Sequence, residues 1–218
     1  MANFRKHKIT LITVGLILFL PAASQNKDTL WKKKLDKNEI EIYTRHIENY
    51  ILKESKASRT FNLSITEALN ILTDFESYPK WVNKYIYAQV LEKLDETEYY
   101  YYVQIDIPDP LNDRDLVNHV KVVYKSKNEI RILINAHPNR IDKHSKYVRI
   151  PYYKGSWTLE AISETQTKLT FQIHADPGGI IPGWVANLVM TEGPYNTLFN
   201  LGLYVNRIRQ DELNTTKL

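Results

Sequence analysis

The sequence predicts an α+β fold in which a curved antiparallel sheet wraps around a long C-terminal helix and leaves an apolar cavity between them. Residues 87–176 read as successive strands of alternating polarity joined by short polar turns. Residues 182–213 carry a broad apolar face at helical spacing. The 15 tyrosines, each with an apolar body and a polar tip, suit strands that line a partly wet cavity.

Residues 1–24 are predicted to be a secretory signal peptide that is cleaved after Ser24. A basic start precedes the apolar run Ile9–Leu20, and small residues follow it. The run has 12 residues, whereas a helix that crosses a membrane needs about 20. An uncleaved membrane anchor is the alternative. Cleavage would place the protein in the periplasm or outside the cell, with residues 25–218 as one domain.

Composition excludes several classes of function. Without residues 1–24 the chain keeps 26 of its 29 basic residues and all 25 acidic ones, so its net charge is +1 and nucleic acid is not an expected partner. The absence of cysteine excludes disulfides, thiolate metal sites, a cysteine nucleophile and a lipidated cysteine. No cofactor is expected, and the expected oligomeric state is a monomer.

The chain after the signal peptide is predicted to begin with a helix and a hairpin. Asp28–Ile40 places apolar residues at roughly helical spacing behind a possible cap at Asp28. Glu39–Glu48 alternates isoleucine with charged residues, which predicts a strand, and Ile51–Ser64 is predicted to be its hairpin partner.

A second helix is predicted to follow this hairpin. Ser64 or Thr66 can cap it, with Glu67 in its first turn, and Pro79 is predicted to end it. Its apolar face consists of Ile65, Ala68, Leu69, Leu72 and Phe75.

The alternation within residues 87–176 assigns one face of each strand to the interior. The inward residues are Tyr99, Tyr101, Val103, Ile105 and Ile107; Leu116, Asn118, Val120, Val122 and Tyr124; Ile130, Ile132 and Ile134; and Leu169, Phe171, Ile173 and Ala175. Among these Asn118 is polar, and a fully dry core would leave its amide unsatisfied. Its position therefore favours a cavity over a filled core.

The final helix is predicted to begin at Pro182 and to bend at Gly193-Pro194. Gly178 and Gly179 precede it and are predicted to form a hinge. They do not form a phosphate-binding loop, because no Lys-Ser/Thr pair follows them and the G-x-G-x-x-G pattern is absent. The apolar face of the helix consists of Trp184, Val185, Leu188, Val189, Tyr195, Leu198, Phe199 and Val205.

The segment Asp113-Arg114-Asp115 leaves two interpretations open. Alternation would put both acids on one face, as in a site for acid–base catalysis. The more ordinary interpretation is a turn capped by Asp113, with Arg114 in a structural ion pair.

The histidines give little support to a metal site. His119 and His174 lie opposite the apolar faces of their strands and are expected to be exposed. His137 and His144 lie in one loop, but the sequence does not place further ligands beside them.

Four short stretches, in this order, carry a family resemblance: "YPKWV", "PLNDRDLV", "VRIPYYKGSWTLEAI" and "DPGGIIPGWVANLV". The chain resembles the START (StAR-related lipid-transfer) family of the helix-grip superfamily over about residues 28–212. The resemblance implies a helix-grip fold with an internal tunnel for one hydrophobic molecule, and no shared catalytic residue. It also implies a mobile loop that admits the ligand. Here that loop is His137–Tyr147, with Arg140, Lys143 and Lys146 available to anionic headgroups.

Three hypotheses about function follow. The first is a non-enzymatic, exported protein that binds a lipid, a sterol or another hydrophobic small molecule and contacts membranes transiently. The second is an enzyme of the cyclase or hydratase type, acting on an aromatic or polyketide-like substrate. The third is a structural domain with a filled core. The predicted ligand-binding residues are Tyr101, Val103, Ile105, Asn118, Val120, Ile132, Ile134, Val185, Leu188, Val189 and Phe199.

Overall fold

One large curved sheet dominates the computed structural model, which describes residues 30–50, 52–179, 182 and 188–215. The strands of this part are β1 (Lys32–Lys37), β2 (Ile40–Arg45), β3 (Glu54–Phe61), β4 (Tyr85–Lys93), β5 (Glu98–Ile105), β6 (Arg114–Ser126), β7 (Glu129–Ala136), β8 (Val148–Arg149), β9 (Tyr152–Ala161) and β10 (Thr167–Asp176). The sheet order is β1-β2-β3-β10-β9-β7-β6-β5-β4, and the short β8 pairs in parallel with β6. All other strand pairs are antiparallel, as predicted.

The inward faces of the central strands are those that alternation predicts. Trp157 of β9, for example, lies opposite Ile132 of β7 and Phe171 of β10, and all three side chains are buried. Tyr124 is the exception, with 61% of its surface exposed. The register of β6 and β7 shifts between Tyr124 and Ser126, so the alternation is interrupted there.

The predicted helix at Asp28–Ile40 is wrong, because the described part of this range contains the edge strand β1. Asn38 and Glu39 have φ angles of 52° and 61°. Two consecutive residues with positive φ form the tight turn that suits a two-residue hairpin, and this turn joins β1 to β2. Asn38 also donates a hydrogen bond to the Tyr195 hydroxyl (2.8 Å), which ties the turn to the C-terminal helix.

Helix α1 (Ile65–Thr73) begins as predicted and ends earlier. The Ser64 hydroxyl accepts a hydrogen bond from the Glu67 amide, and the Glu67 carboxylate accepts one from the Ser64 amide, which completes a capping box. The helix ends at Thr73, and Pro79 lies inside a following 3-10 turn, Phe75–Lys80. This turn and Trp81 place large aromatic side chains against the sheet.

Pro182, the predicted start of the C-terminal helix, is not helical. In the described residues a π-helical turn, Leu188–Glu192, leads into helix α2 (Gly193–Thr215). Gly193-Pro194, where a bend was expected, is the point at which the π-helical turn passes into the α-helix. The buried face of α2 consists of Pro194, Thr197, Leu198, Leu201 and Val205. None of the helices in the described residues is long and apolar enough to cross a membrane.

Candidate functional site

A cavity of about 120 Å³ lies between the sheet and the start of α2. Its walls come from the 81–85 segment, the ends of β5 and β6, strands β9 and β10, and the first turn of α2. The lining residues are Val82, Asn83, Lys84, Tyr85, Ile105, Ile107, Arg114, Ile150, Tyr153, Phe171, Ile173, Ala175, Pro177, Gly193, Pro194 and Thr197. Most of these are apolar, so the cavity suits a hydrophobic occupant.

A second cavity, of about 20 Å³, adjoins the first and lies deeper in the core. The two cavities share Val82, Tyr85, Tyr153, Phe171 and Thr197. The far wall of the smaller cavity consists of Tyr78, Trp81, Tyr101, Ile134 and Trp157. Small displacements of the shared side chains would therefore join the two cavities.

Four tyrosine hydroxyls are among the polar groups of this interior. Burial raises the pKa values of Tyr78, Tyr85, Tyr101 and Tyr153 above the ordinary value for tyrosine. The Tyr78 hydroxyl donates a hydrogen bond to the Leu72 carbonyl (2.7 Å). Because these hydroxyls stay protonated at neutral pH, they cannot act as general bases, and the Tyr78 hydroxyl has already committed its proton to the Leu72 carbonyl.

Asn118 is fully buried, and neither its amide nitrogen nor its oxygen has a hydrogen-bond partner in the described part of the chain. It lies opposite Tyr101 in the pairing of β5 with β6. Burial raises the pKa of Tyr101, and the Asn118 amide, which faces the Tyr101 hydroxyl without meeting hydrogen-bond geometry, lowers it by a smaller amount. A buried polar group without a partner destabilises the folded state.

Replacing Asn118 by leucine is expected to raise the free energy of unfolding by about 1–3 kcal/mol, because the change removes an unsatisfied amide at nearly constant volume. Urea denaturation of the two proteins measures the difference. The matched control is Asn135→Leu on the exposed outer face of β7, where a change within about 0.5 kcal/mol is expected. A loss of stability in Asn118→Leu would contradict the prediction.

The START domain family model matches residues 20–201, which is more than half of the chain.
The chain belongs to the START domain family.

Solved structures agree with this assignment of the START domain. The STAR-related lipid transfer protein of Xanthomonas axonopodis is 29% identical, with a TM-score of 0.75 over 81% of this chain and 98% of that chain. Human StAR-related lipid transfer protein 5 is 16% identical, with a TM-score of 0.74 over 85% and 90%. An uncharacterized protein of Pseudomonas aeruginosa is 26% identical over 171 residues, 78% of this chain and 84% of that protein. Family and fold together indicate binding of a hydrophobic ligand.

The structure places the predicted ligand-binding residues of the START domain in the cavity walls, on α2 and in the core. Ile105 lines the larger cavity, and Tyr101 and Ile134 line the smaller one. Phe199 is half-buried and stacks on Tyr195. Val103, Asn118, Val120 and Ile132 are buried in the core beside the cavities. Val185 and the side chains of Leu188 and Val189 lie outside the described part of the chain.

Several wall residues of the START domain were not among the predicted ligand-binding set. Ile107, Phe171, Ile173 and Ala175 were assigned to inward faces, but alternation does not show which inward residues border a void. The sequence pattern does not place Val82, Tyr85 and Thr197 in the cavity wall, because their positions depend on how the 3-10 turn and α2 pack on the sheet.

The predicted uptake loop of the START domain lies against the outer face of the sheet. Arg140 forms an ion pair with Glu92 and lies over the Tyr100 ring. Lys143 is exposed, and Lys146 lies beside the Tyr147 ring. None of these three basic residues is among the described residues that line the larger cavity. Their role in ligand uptake stays a prediction.

The ion pair expected for Arg114 is wrong. Its guanidinium donates to backbone carbonyls, including those of Pro177 and Gly178, whereas Asp115 pairs with Arg149. The second acid, Asp113, accepts a hydrogen bond from the Ile107 amide (3.0 Å). The two carboxylates thus serve separate structural partners, because β8 brings Arg149 to Asp115 across 34 residues of chain.

The expected exposure of His174 is also wrong, since only 5% of its surface is exposed. Tyr50 and Tyr152 cover it on the outer face, and the Tyr152 hydroxyl lies 3.2 Å from Nδ1. His119 is partly exposed and its Nε2 lies 2.6 Å from the Glu98 carboxylate. The described residues contain no cluster of side chains suited to a metal ion.

Proposed function

We propose that the protein binds a lipid or another hydrophobic small molecule between its sheet and α2, and carries it outside the cytoplasm. The observation that carries the proposal is the apolar cavity beneath the first turn of α2 in a START fold. The predicted signal peptide supports export. Removal of the ligand's apolar surface from water drives binding, at about 25 cal/mol per Å² before ordering costs.

The size of the cavity requires that it widen on binding. About 120 Å³ is less than the roughly 300 Å³ at which pockets for drug-sized ligands begin. In the described part of the chain, Met190 contacts β3 and the residue before it: Ser55 donates to the Met190 carbonyl (2.5 Å), and the Lys53 amide donates to the Met190 sulfur (3.3 Å). The Asn83 amide donates to the Thr197 hydroxyl (3.3 Å). We propose that these contacts break transiently during uptake.

The cyclase or hydratase hypothesis stays a prediction. Raised pKa values keep the buried tyrosines of the described cavity walls neutral, so these tyrosines supply no general base.

Native mass spectrometry of protein purified from the periplasm or the medium, followed by organic extraction, tests the proposal. We expect a bound lipid-like molecule and uptake of lipid from vesicles. Protein that is recovered empty and takes up no lipid would refute ligand binding, and protein found only in the cytoplasm would refute export.

A variant that fills the cavity provides the site-specific arm of this experiment. Ala175→Phe places a ring in the cavity wall, and uptake is expected to fall roughly tenfold or more, because overpacking costs about 1–3 kcal/mol. The matched control is Ala161→Phe at the far end of β9, outside the described cavity walls, which should leave uptake unchanged. Equal uptake by both variants would place the ligand elsewhere.

A further inference from the structure

Two buried arginines, Arg114 and Arg149, lie in the two strands β6 and β8 that pair in parallel, and their hydrogen-bond partners differ. Arg149 has a side chain 2% exposed, and Asp115 binds it through two hydrogen bonds of 2.8 and 2.9 Å. Its other donors reach the carbonyls of Pro138, Ile141 and Asp142. All five guanidinium N–H groups of Arg149 therefore have acceptors, and its charge is neutralised.

Arg114 is also buried, with 3% of its surface exposed, but its hydrogen-bond acceptors are all neutral. Nε donates to the Pro177 carbonyl (3.3 Å), Nη2 to the Gly178 carbonyl (3.2 Å), and Nη1 to the Asn112 carbonyl. No carboxylate in the described residues forms a salt bridge with Arg114. Three of five N–H groups are thus used, which leaves one on each terminal nitrogen.

Arg114, which keeps these two free N–H groups, is part of the wall of the larger cavity. Apolar residues surround it there, among them Ile107 and Ile150. Gly179, in the turn beside it, has no side chain, and a β-carbon added there would be 3.9 Å from Nη2. The other basic residue of this wall, Lys84, is already paired with Asp106 at 2.6 Å.

A buried cation with neutral partners alone is costly, because hydrogen bonds to carbonyls replace only part of its lost hydration. Burial lowers the pKa of Arg114 and the charge of the neighbouring Asp113 carboxylate opposes this shift, while arginine remains charged. Asp113 forms no salt bridge with the guanidinium, so an oxyanion that enters the cavity would be the first anion bonded to it directly, and the planar guanidinium suits carboxylate and phosphate groups.

We propose that Arg114 binds the oxyanion head, a carboxylate or a phosphate, of a single-chain amphiphile whose apolar chain fills the cavity. The inference rests on the proposed function and narrows its ligand class. A single chain fits because the cavity is small, and the head lies at the cavity edge formed by β6 and the Pro177–Gly179 turn.

The test titrates delipidated protein with decanoate, decyl phosphate and decanol, followed by native mass spectrometry. One of the two anions is expected to bind about tenfold to hundredfold more tightly than decanol, the usual strength of a hydrogen bond to a charged group. Whichever anion binds more tightly identifies the head. Decanol that binds the wild-type protein as tightly as both anions would overturn the inference.

Arg114→Gln should lower the affinity for the anion to that for decanol and leave decanol binding unchanged. The matched control is Lys125→Gln, which removes one positive charge from the exposed far end of the same strand, about 35 Å away by strand rise. An equal fall in both variants would point to general electrostatics and overturn the inference.

The wild-type comparison decides the inference even if Arg114→Gln fails to fold, because Arg114 also ties the Pro177–Gly178 turn to β6. The two proposals fail in different ways. Equal binding of decanol and the anions refutes the role of Arg114 alone, whereas no uptake of any amphiphile or vesicle lipid refutes the proposed function as well.

Discussion

Replacing Asp115 by alanine is expected to lower the free energy of unfolding by about 3–5 kcal/mol. Asp115 is 1% exposed and is the carboxylate partner of Arg149. Its loss leaves a guanidinium buried without a countercharge, and the Tyr102 hydroxyl (3.2 Å) loses its acceptor as well. Because Arg149 also holds three carbonyls of the 137–147 loop, we expect that loop to detach from β6 in the variant.

Urea denaturation measures the loss, and hydrogen exchange of the 137–147 amides reports the loop. The matched control is Asp113→Ala two residues earlier. It loses the hydrogen bond from the Ile107 amide and a charge near Arg114 but breaks no salt bridge, so a smaller cost of about 0.5–1.5 kcal/mol is expected. The double variant Asp115→Ala/Arg149→Met should recover much of the stability, because it removes the orphaned charge. Equal costs for Asp115→Ala and Asp113→Ala would contradict a special role for the ion pair.

The sheet could be predicted from the sequence because apolar side chains recur at alternate positions along one face of the central strands, most regularly in β7 and the first half of β10. A shift of β10 by one residue would turn Leu169 and Phe171 to the other face of the sheet, so only one register buries these apolar side chains. The edge strand β1 could not be predicted in this way. Both faces of β1 contact solvent, so "KKKLDK" does not alternate between apolar and polar residues. The pairing of β1 with β2 depends instead on the left-handed turn at Asn38-Glu39.

The family resemblance located the cavity between sheet and helix, but the sequence did not locate its walls. Ile105 is in the wall of the larger cavity, whereas Val103, on the same face of β5, is packed in the core. The next residue of that face, Tyr101, stacks on Phe75 of the 3-10 turn (centroids 4.6 Å apart). Such differences arise from packing between elements distant in the chain. The pair Asp115–Arg149 escaped prediction for the same reason.

Replacing Trp81 by alanine is expected to lower the free energy of unfolding by about 3–5 kcal/mol. Trp81 is 1% exposed, and its ring packs edge-on against Tyr78 (centroids 4.9 Å apart) and Trp157 (6.3 Å). The variant loses this burial and gains a cavity that extends the smaller of the two existing ones. The matched control is Trp31→Ala on the outer face, where the ring contacts Arg45 and Lys56 and a cost of about 1 kcal/mol is expected.

Indole should restore part of the stability of Trp81→Ala, since a dry apolar cavity of this kind binds a small aromatic molecule. The expected result is a rise in melting temperature that grows with indole concentration in the variant and not in the wild-type protein. No rise in the variant would show that the core collapses into the space.

Indole in this space also reports how deep the natural ligand reaches. If it displaces the ligand, the apolar chain extends to Tyr101 and Ile134; if both bind together, the chain ends in the larger cavity, beside the residues shared by the two.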